Sequence, residues 1–247
     1  MSVAKAESRS FTVNGEKITY TLERKTIKRL NLRVKRDGEI HVSAPTRMPL
    51  ATIESFLREK AAWIRAAHSR VMARRGETPT LEPGDVIVLE GVPHGVILHV
   101  GNRPGVRREA GVLHITVTEP QNAAERMQAF RRFVKTEAKR VLTARAMDIY
   151  REFAPHPATF PTLSFRWMSS RWGSCTASKN HITLNEKLLF VEPRLADYVI
   201  YHEFCHFKYQ DHSAAFYRHL ASFLPDHAAA RAQLRSTPIP VLEGEGC

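Results

Sequence analysis

Apolar and polar residues alternate along Arg29–Lys35, with Leu30, Leu32 and Val34 on one side and Arg29, Asn31, Arg33 and Lys35 on the other. A period of two with one apolar face predicts a half-buried strand whose outer face is basic. Before it, Ser10–Val13 and Lys17–Arg24 flank Asn14-Gly15, a pair that favours the tight turn of a β-hairpin. After it, Asp37-Gly38 turns the chain into another alternating strand through Ile40, Val42 and Ala44, and Pro45 and Pro49 end this meander. From Leu50 the period lengthens. Ile53, Phe56, Leu57, Ala61, Ile64 and Ala67 recur at three and four residues and predict one helix to about Arg75. Trp63 sits beside that stripe and is assigned to the core.

Glu77–Gly84, with Pro79 and Pro83, reads as a linker or loop. Short strands follow at Val86–Leu89, Val96–Val100 and Val112–Val117, and Arg103–Arg108 reads as a basic turn. Gln121–Phe153 is helical, with a core stripe through Met127, Phe130, Val134, Ala138, Val141, Leu142, Ile149 and Phe153. Pro155, Pro157 and Pro161 interrupt the chain. Leu163–Met168 and His181–Leu184 read as two strands around a polar segment, Ser169–Asn180. Pro193 opens a helix that aligns Leu195, Tyr198, Val199, His202 and His206, and Asp211-His212-Ser213 breaks it. Ser213 caps a further helix containing Phe216, Tyr217, Leu220 and Phe223, and Asp226 caps a last one to about Arg235. No internal repeat or low-complexity tract is legible. The pattern predicts an α+β protein, with an antiparallel β-rich region and one helix over residues 1–118 and an α+β catalytic domain over 119–247.

Charge adds an asymmetry to this picture. Residues 1–75 hold 17 Lys or Arg against 7 Asp or Glu, whereas the rest holds 20 against 18. A concentrated positive region attracts phosphate, nucleic acid or an acidic partner, or simply keeps a face solvated. Three cysteines, Cys175, Cys205 and Cys247, make no disulfide framework and fit a reducing compartment. The first residues lack the apolar core of a secretory signal, and no apolar run is long enough to span a membrane. The expected location is cytoplasmic.

The chemistry concentrates in Tyr198–His212. His202 and His206 stand at i and i+4, so on a helix both imidazoles reach one metal ion. Glu203 lies about 100° further round the helix, where it can take a proton from a water activated by the metal. His212 is the obvious third ligand, with Asp226 as the fallback and His219 a distant third. Three imidazoles with one open position describe a catalytic zinc rather than a structural one, which has four protein ligands. Such a site hydrolyses a peptide carbonyl or a phosphoanhydride, and the motif alone does not choose between them. Arg171 can supply a cation for an oxyanion or a phosphate. Cys205 reads as a small core residue and Cys175 as a packed thiol beside Gly173.

Arg171-Trp-Gly-Ser-Cys, Ile182-Thr-Leu-Asn185, Asp197-Tyr-Val-Ile, the His-Glu-x-x-His core and His212-Ser-x-x-Phe216 occur in this order. With Leu30-Asn-Leu-Arg-Val, Asp37-Gly and Trp63-Ile64 upstream, they resemble the YgjP-like family of metal-dependent hydrolases, related to SprT-like zinc peptidases. The resemblance implies a zincin-like, minigluzincin-type catalytic domain with His202, His206 and His212 holding Zn2+ and Glu203 as base. Arg171, Trp172 and Asn185 become candidate substrate-binding residues. It leaves the substrate open: peptide or protein, or a nucleotide such as UTP cleaved to release pyrophosphate. A nucleic-acid-associated protease of the SprT-like kind is a further possibility.

Overall fold

Asn14 and Gly15 take positive φ, 53° and 79°, and β1 (Glu7–Val13) and β2 (Glu16–Lys25) form the expected antiparallel hairpin around them. The computed structural model describes residues 6–35, 38–72, 77–153 and 157–242, so Asp37 of the expected turn and Cys247 lie outside the described residues. β3 (Asn31–Val34) and β4 (Ile40–Pro45) pair antiparallel, but β4 also lies parallel to β2, in the order β1-β2-β4-β3. The sheet is therefore mixed, not the antiparallel meander expected. β4 enters between β2 and β3 because its alternating Ile40, Val42 and Ala44 are all buried, which suits a central strand and not an edge.

Phe11, Ile18, Tyr20, Leu22 and Val42 face α1 (Leu50–Glu59) and α2 (Ala61–Met72) through Ile53, Leu57 and Ile64. The expected single helix is thus two, divided at Lys60 (φ −88°, ψ 6°). Trp63 is 47% exposed, outside the core to which it was assigned. It neighbours Ile64, and one residue is about 100° of helix, enough to leave a narrow stripe. Several of the unit's cations are paired, among them Lys25 with Glu23 and Arg65 with Glu16. Arg24 instead donates to the carbonyls of Pro45, Thr46 and Met48, an internal tie rather than a ligand contact.

A second unit begins at Glu77 and runs to Cys247. The division falls earlier than the expected boundary at 118/119, because the next four strands share a core with the long helix behind them. They are β5 (Val86–Leu89), β6 (Val92–Val100), β7 (Gly105–Glu109) and β8 (Val112–Val117). Their order is β5-β6-β8-β7, with β6 and β8 parallel. This is the connectivity of the first sheet again, and its hairpins turn on Glu90-Gly91 and Ala110-Gly111, all four at positive φ. β7 replaces the expected basic turn: Val106 packs against the core, and Arg108 donates to His94 and Glu90.

α3 (Ala123–Phe153) buries Phe130, Val134, Ala138, Leu142 and Ala146 beneath this sheet. Beyond it lie β9 (Thr162–Arg166), β10 (Gly173–Thr176) and β11 (His181–Asn185), in the order β10-β11-β9. β10 was not legible in the sequence, since Gly-Ser-Cys-Thr carries no apolar alternation. α4 (Pro193–Cys205), α5 (Ala214–Phe223) and α6 (His227–Ser236) complete the chain. α4 buries Leu195, Val199, Ile200 and Phe204, each contributing roughly 1.5–3 kcal/mol. Arg145 of α3 grips Asp197 of α4 at 2.8 and 3.1 Å, and Tyr201 donates to Glu152 at 2.8 Å. The helix that carries the histidines is thereby fixed in rotation as well as in depth. No helix among the described residues is long and apolar enough to cross a membrane.

Candidate metal centre

α4 ends at Cys205, and His206 is its C-cap, still in helical conformation. His202 and His206 consequently keep the i, i+4 relation, with ring centroids 4.9 Å apart. Ser213 accepts from the Phe216 N–H and starts α5, as expected of an N-cap. The sharp return between the two helices brings His212 back over α4. Its Nε2 lies 2.9 Å from Nε2 of His202, and its ring is 4.8 Å from that of His206. Ligand atoms of all three histidines fall within 4.8 Å of one another. Phe216 walls the group, 4.8–5.0 Å from each ring.

The donor set fits a metal ion. Nδ1 of His206 donates to the Tyr209 carbonyl at 2.9 Å, which leaves Nε2 without a proton and free to ligate. His202 is pushed down to about 3, first by burial and then by its two neighbouring histidines, so its imidazole is neutral, the form a metal binds. Two Nε2 atoms facing each other at 2.9 Å cannot both carry hydrogen, and a shared cation satisfies both lone pairs. Three nitrogens without a carboxylate suit a borderline dication. His202 lacks the anchor His206 has: its Nδ1 is buried with no hydrogen-bond partner. Packing on Phe216 and Tyr198 orients it instead.

Glu203 is buried beside this group and shares a cavity of about 250 Å³ with His202. Burial raises its carboxyl to about 8, against the lowering effects of the Arg171 charge and of the Cys175 N–H, which donates to it. A dication at the histidines would favour the ionised form. Gly173 is the floor under Glu203: a Cβ there would meet Oε1 at 2.6 Å and Cγ at 2.8 Å. Gly173→Ala is expected to displace the carboxylate, cutting turnover and costing roughly 1–3 kcal/mol by overpacking. Activity and denaturant midpoint of the variant check this, and an alanine enzyme with normal turnover would show that the carboxylate's seat is unimportant.

A model of the YgjP-like metallopeptidase domain matches residues 28–237, a span that contains every residue of the site just described. The chain belongs to the YgjP-like family. No curated protein matches the chain. A metallopeptidase domain is that of a metal-dependent hydrolase, and the α+β architecture expected from the residue pattern is present.

Within this YgjP-like chain the expected site residues divide into three groups. His202, Glu203, His206 and His212 come together as described. Arg171 and Trp172 line the cavity beside His202 and Glu203. Asn185 does not reach it. It is fully buried and holds the turn before β10, donating to the carbonyls of Met168 and Arg171 and accepting from the N–H of Met168 and Lys187. Its place is behind Arg171, positioning it, and not against substrate. Asn185→Ala should lower stability by about 3 kcal/mol, since four hydrogen bonds go and buried groups are left unpaired. A denaturant titration reads that loss.

The fallback ligand, Asp226, occupies the N-cap position of α6 without capping it and pairs with Arg194 at 3.2 Å. His219 is outside the cluster, against Phe153, Tyr209 and Phe223. Cys205 is core, as expected. Cys175 is half-buried on β10 with its thiol pushed up to about 12, chiefly by burial and also by Glu203, and it is not part of the histidine cluster. Gly173, the Tyr209 carbonyl and the lining residues Arg231 and Arg235 escaped sequence reading. Only Gly173 left a trace there, inside Arg171-Trp-Gly-Ser-Cys.

Proposed function

We propose that the chain is a zinc-dependent peptidase in which His202, His206 and His212 hold the ion and Glu203 is the base. The observation that carries the peptidase reading is the outer edge of β10. Asn185 N–H donates to the Trp172 carbonyl at 2.9 Å, and antiparallel pairing alternates by residue. The N–H and C=O groups of Gly173 and Cys175 therefore face away from β11. Cys175 N–H is taken by Glu203, while Gly173 lines the cavity. An extended peptide laid along this edge finds backbone partners beside the base, the β-addition mode of peptide recognition.

The ion, when bound, lowers the pKa of a water and polarises a carbonyl oxygen. Glu203 accepts the proton that the attacking water releases, and passes it to the leaving amine as the C–N bond breaks. Burial on Gly173 keeps the carboxylate in one place for both transfers. Arg171 faces the same cavity and offers a cation to the oxyanion of the tetrahedral intermediate.

The test is a substrate panel on the zinc-loaded protein. Unfolded proteins and mixed peptides are followed by mass spectrometry, and nucleoside triphosphates by pyrophosphate release. Peptide cleavage that a chelator abolishes is the expected result. UTP hydrolysis without peptide cleavage would replace the reading by a nucleotide pyrophosphatase.

A further inference from the structure

The cavity beside Glu203 has an uneven lining. Arg171 from the turn before β10 and Arg231 and Arg235 from α6 border it, while Trp172, Val199 and Leu234 supply its apolar surface. Arg231 and Arg235 stand one helical turn apart and so share a face of α6. Among the described residues none of the three arginines forms an ion pair with a carboxylate, although Asp226 at the start of α6 pairs with Arg194. Arg231 makes one long contact, 3.4 Å, to the Tyr217 hydroxyl. Three arginines against the single lining carboxyl of Glu203 leave this concavity with an excess of positive charge, which an incoming anion relieves.

The geometry points to this cavity as a specificity pocket for an acidic side chain, Asp or Glu, of a peptide substrate, with Arg231 and Arg235 as the residues that read its charge. The identity of the anion's carrier rests on the peptidase reading; the pocket's preference for an anion does not. Size and polarity favour a side chain over a nucleotide. The cavity measures about 250 Å³, below the roughly 300–1,000 Å³ of pockets for drug-sized ligands. Its apolar surface suits a methylene stem, and the planar guanidinium forks suit a carboxylate at the stem's end. The pocket opens next to Gly173 and His202, so the acidic residue would flank the bond being cut.

Binding of fluorescent peptides to zinc-loaded Glu203→Gln protein tests this without turnover. Peptides scanned with Glu at each position are compared with Gln at the same position. One position should show a Glu preference of roughly 10- to 100-fold, the range for charge-assisted hydrogen bonds, and the preference should weaken at high salt. Arg231→Ala/Arg235→Ala should erase most of it, and Arg231→Glu/Arg235→Glu should turn it towards Lys at that position. Both side chains are exposed, so these variants fold. Equal binding of Glu and Gln peptides, or a Glu preference that survives in the α6 variants, overturns the assignment. Displacement of the peptide by pyrophosphate or UTP at lower concentration than by the unlabelled Glu peptide also overturns it, in favour of a phosphate site. A Glu preference in binding, with no peptide cut by the unaltered enzyme, upholds the pocket while the peptidase reading fails. Cleavage indifferent to acidic residues does the reverse.

Discussion

His202→Ala or His206→Ala should leave a folded protein with no tightly held zinc and no measurable hydrolysis. Each histidine supplies one of three nitrogens that converge within 4.8 Å, and two nitrogens alone bind a dication far more weakly. A metal that polarises its substrate contributes several kcal/mol to the transition state, so a fall on the order of 10³-fold or more is expected. The fold should persist, because α4 is held by Leu195, Val199, Ile200 and Phe204 and by the Arg145–Asp197 pair, none of which involves the metal. Elemental analysis with circular dichroism measures both halves of this result. About one zinc per chain in the unaltered protein and near zero in the variants is expected. A variant with full zinc content would remove that histidine from the ligand set. His212→Ala belongs in the same series, since His212 is exposed and reaches the group from outside α4.

Glu203→Gln separates holding the metal from using it. Gln keeps the shape of the side chain over Gly173 and still offers an oxygen to the Cys175 N–H, but it cannot take a proton. Zinc content should match the unaltered protein while turnover falls by roughly 10²- to 10⁴-fold, the usual contribution of a general base. Thermal stability should be unchanged or higher, because a buried carboxyl that burial raises to about 8 is replaced by a neutral group. Persisting turnover at the original rate would assign proton transfer to another residue. Loss of zinc together with turnover would instead make Glu203 part of the metal's seat.

The placement of His202, His206 and Glu203 was legible in Tyr198–His212 because a helix converts sequence spacing directly into position: four residues are one turn, and a neighbour is about 100° away. The same rule made the α3 stripe readable, and Ser213 was readable as a cap because capping is local. Local rules failed where the partner was distant. Arg103–Arg108 looked like a solvated turn, yet its register against β8 places Arg108 beside Glu90 and His94. Asn185 looked like a ligand-facing polar residue, yet its amide is enclosed by a turn more than ten residues earlier. The domain boundary moved for a like reason, since β5–β8 look self-contained until α3 is seen to share their core.

The sequence by itself determined the class of chemistry: two imidazoles on one helical face, a carboxylate beside them and a third imidazole after a break. Those depend on contacts within one turn or one tight return, which backbone geometry dictates. The tertiary structure decided what surrounds that chemistry. It gathered His212 with His202 and His206 and paired Asp226 with Arg194. It laid the unforeseen strand β10 against Glu203, and brought Arg231 and Arg235 to the cavity that Arg171 and Trp172 border. These neighbours lie tens of residues apart, and their meeting depends on how α4, α6 and the small sheet pack. No periodicity along the chain encodes that packing.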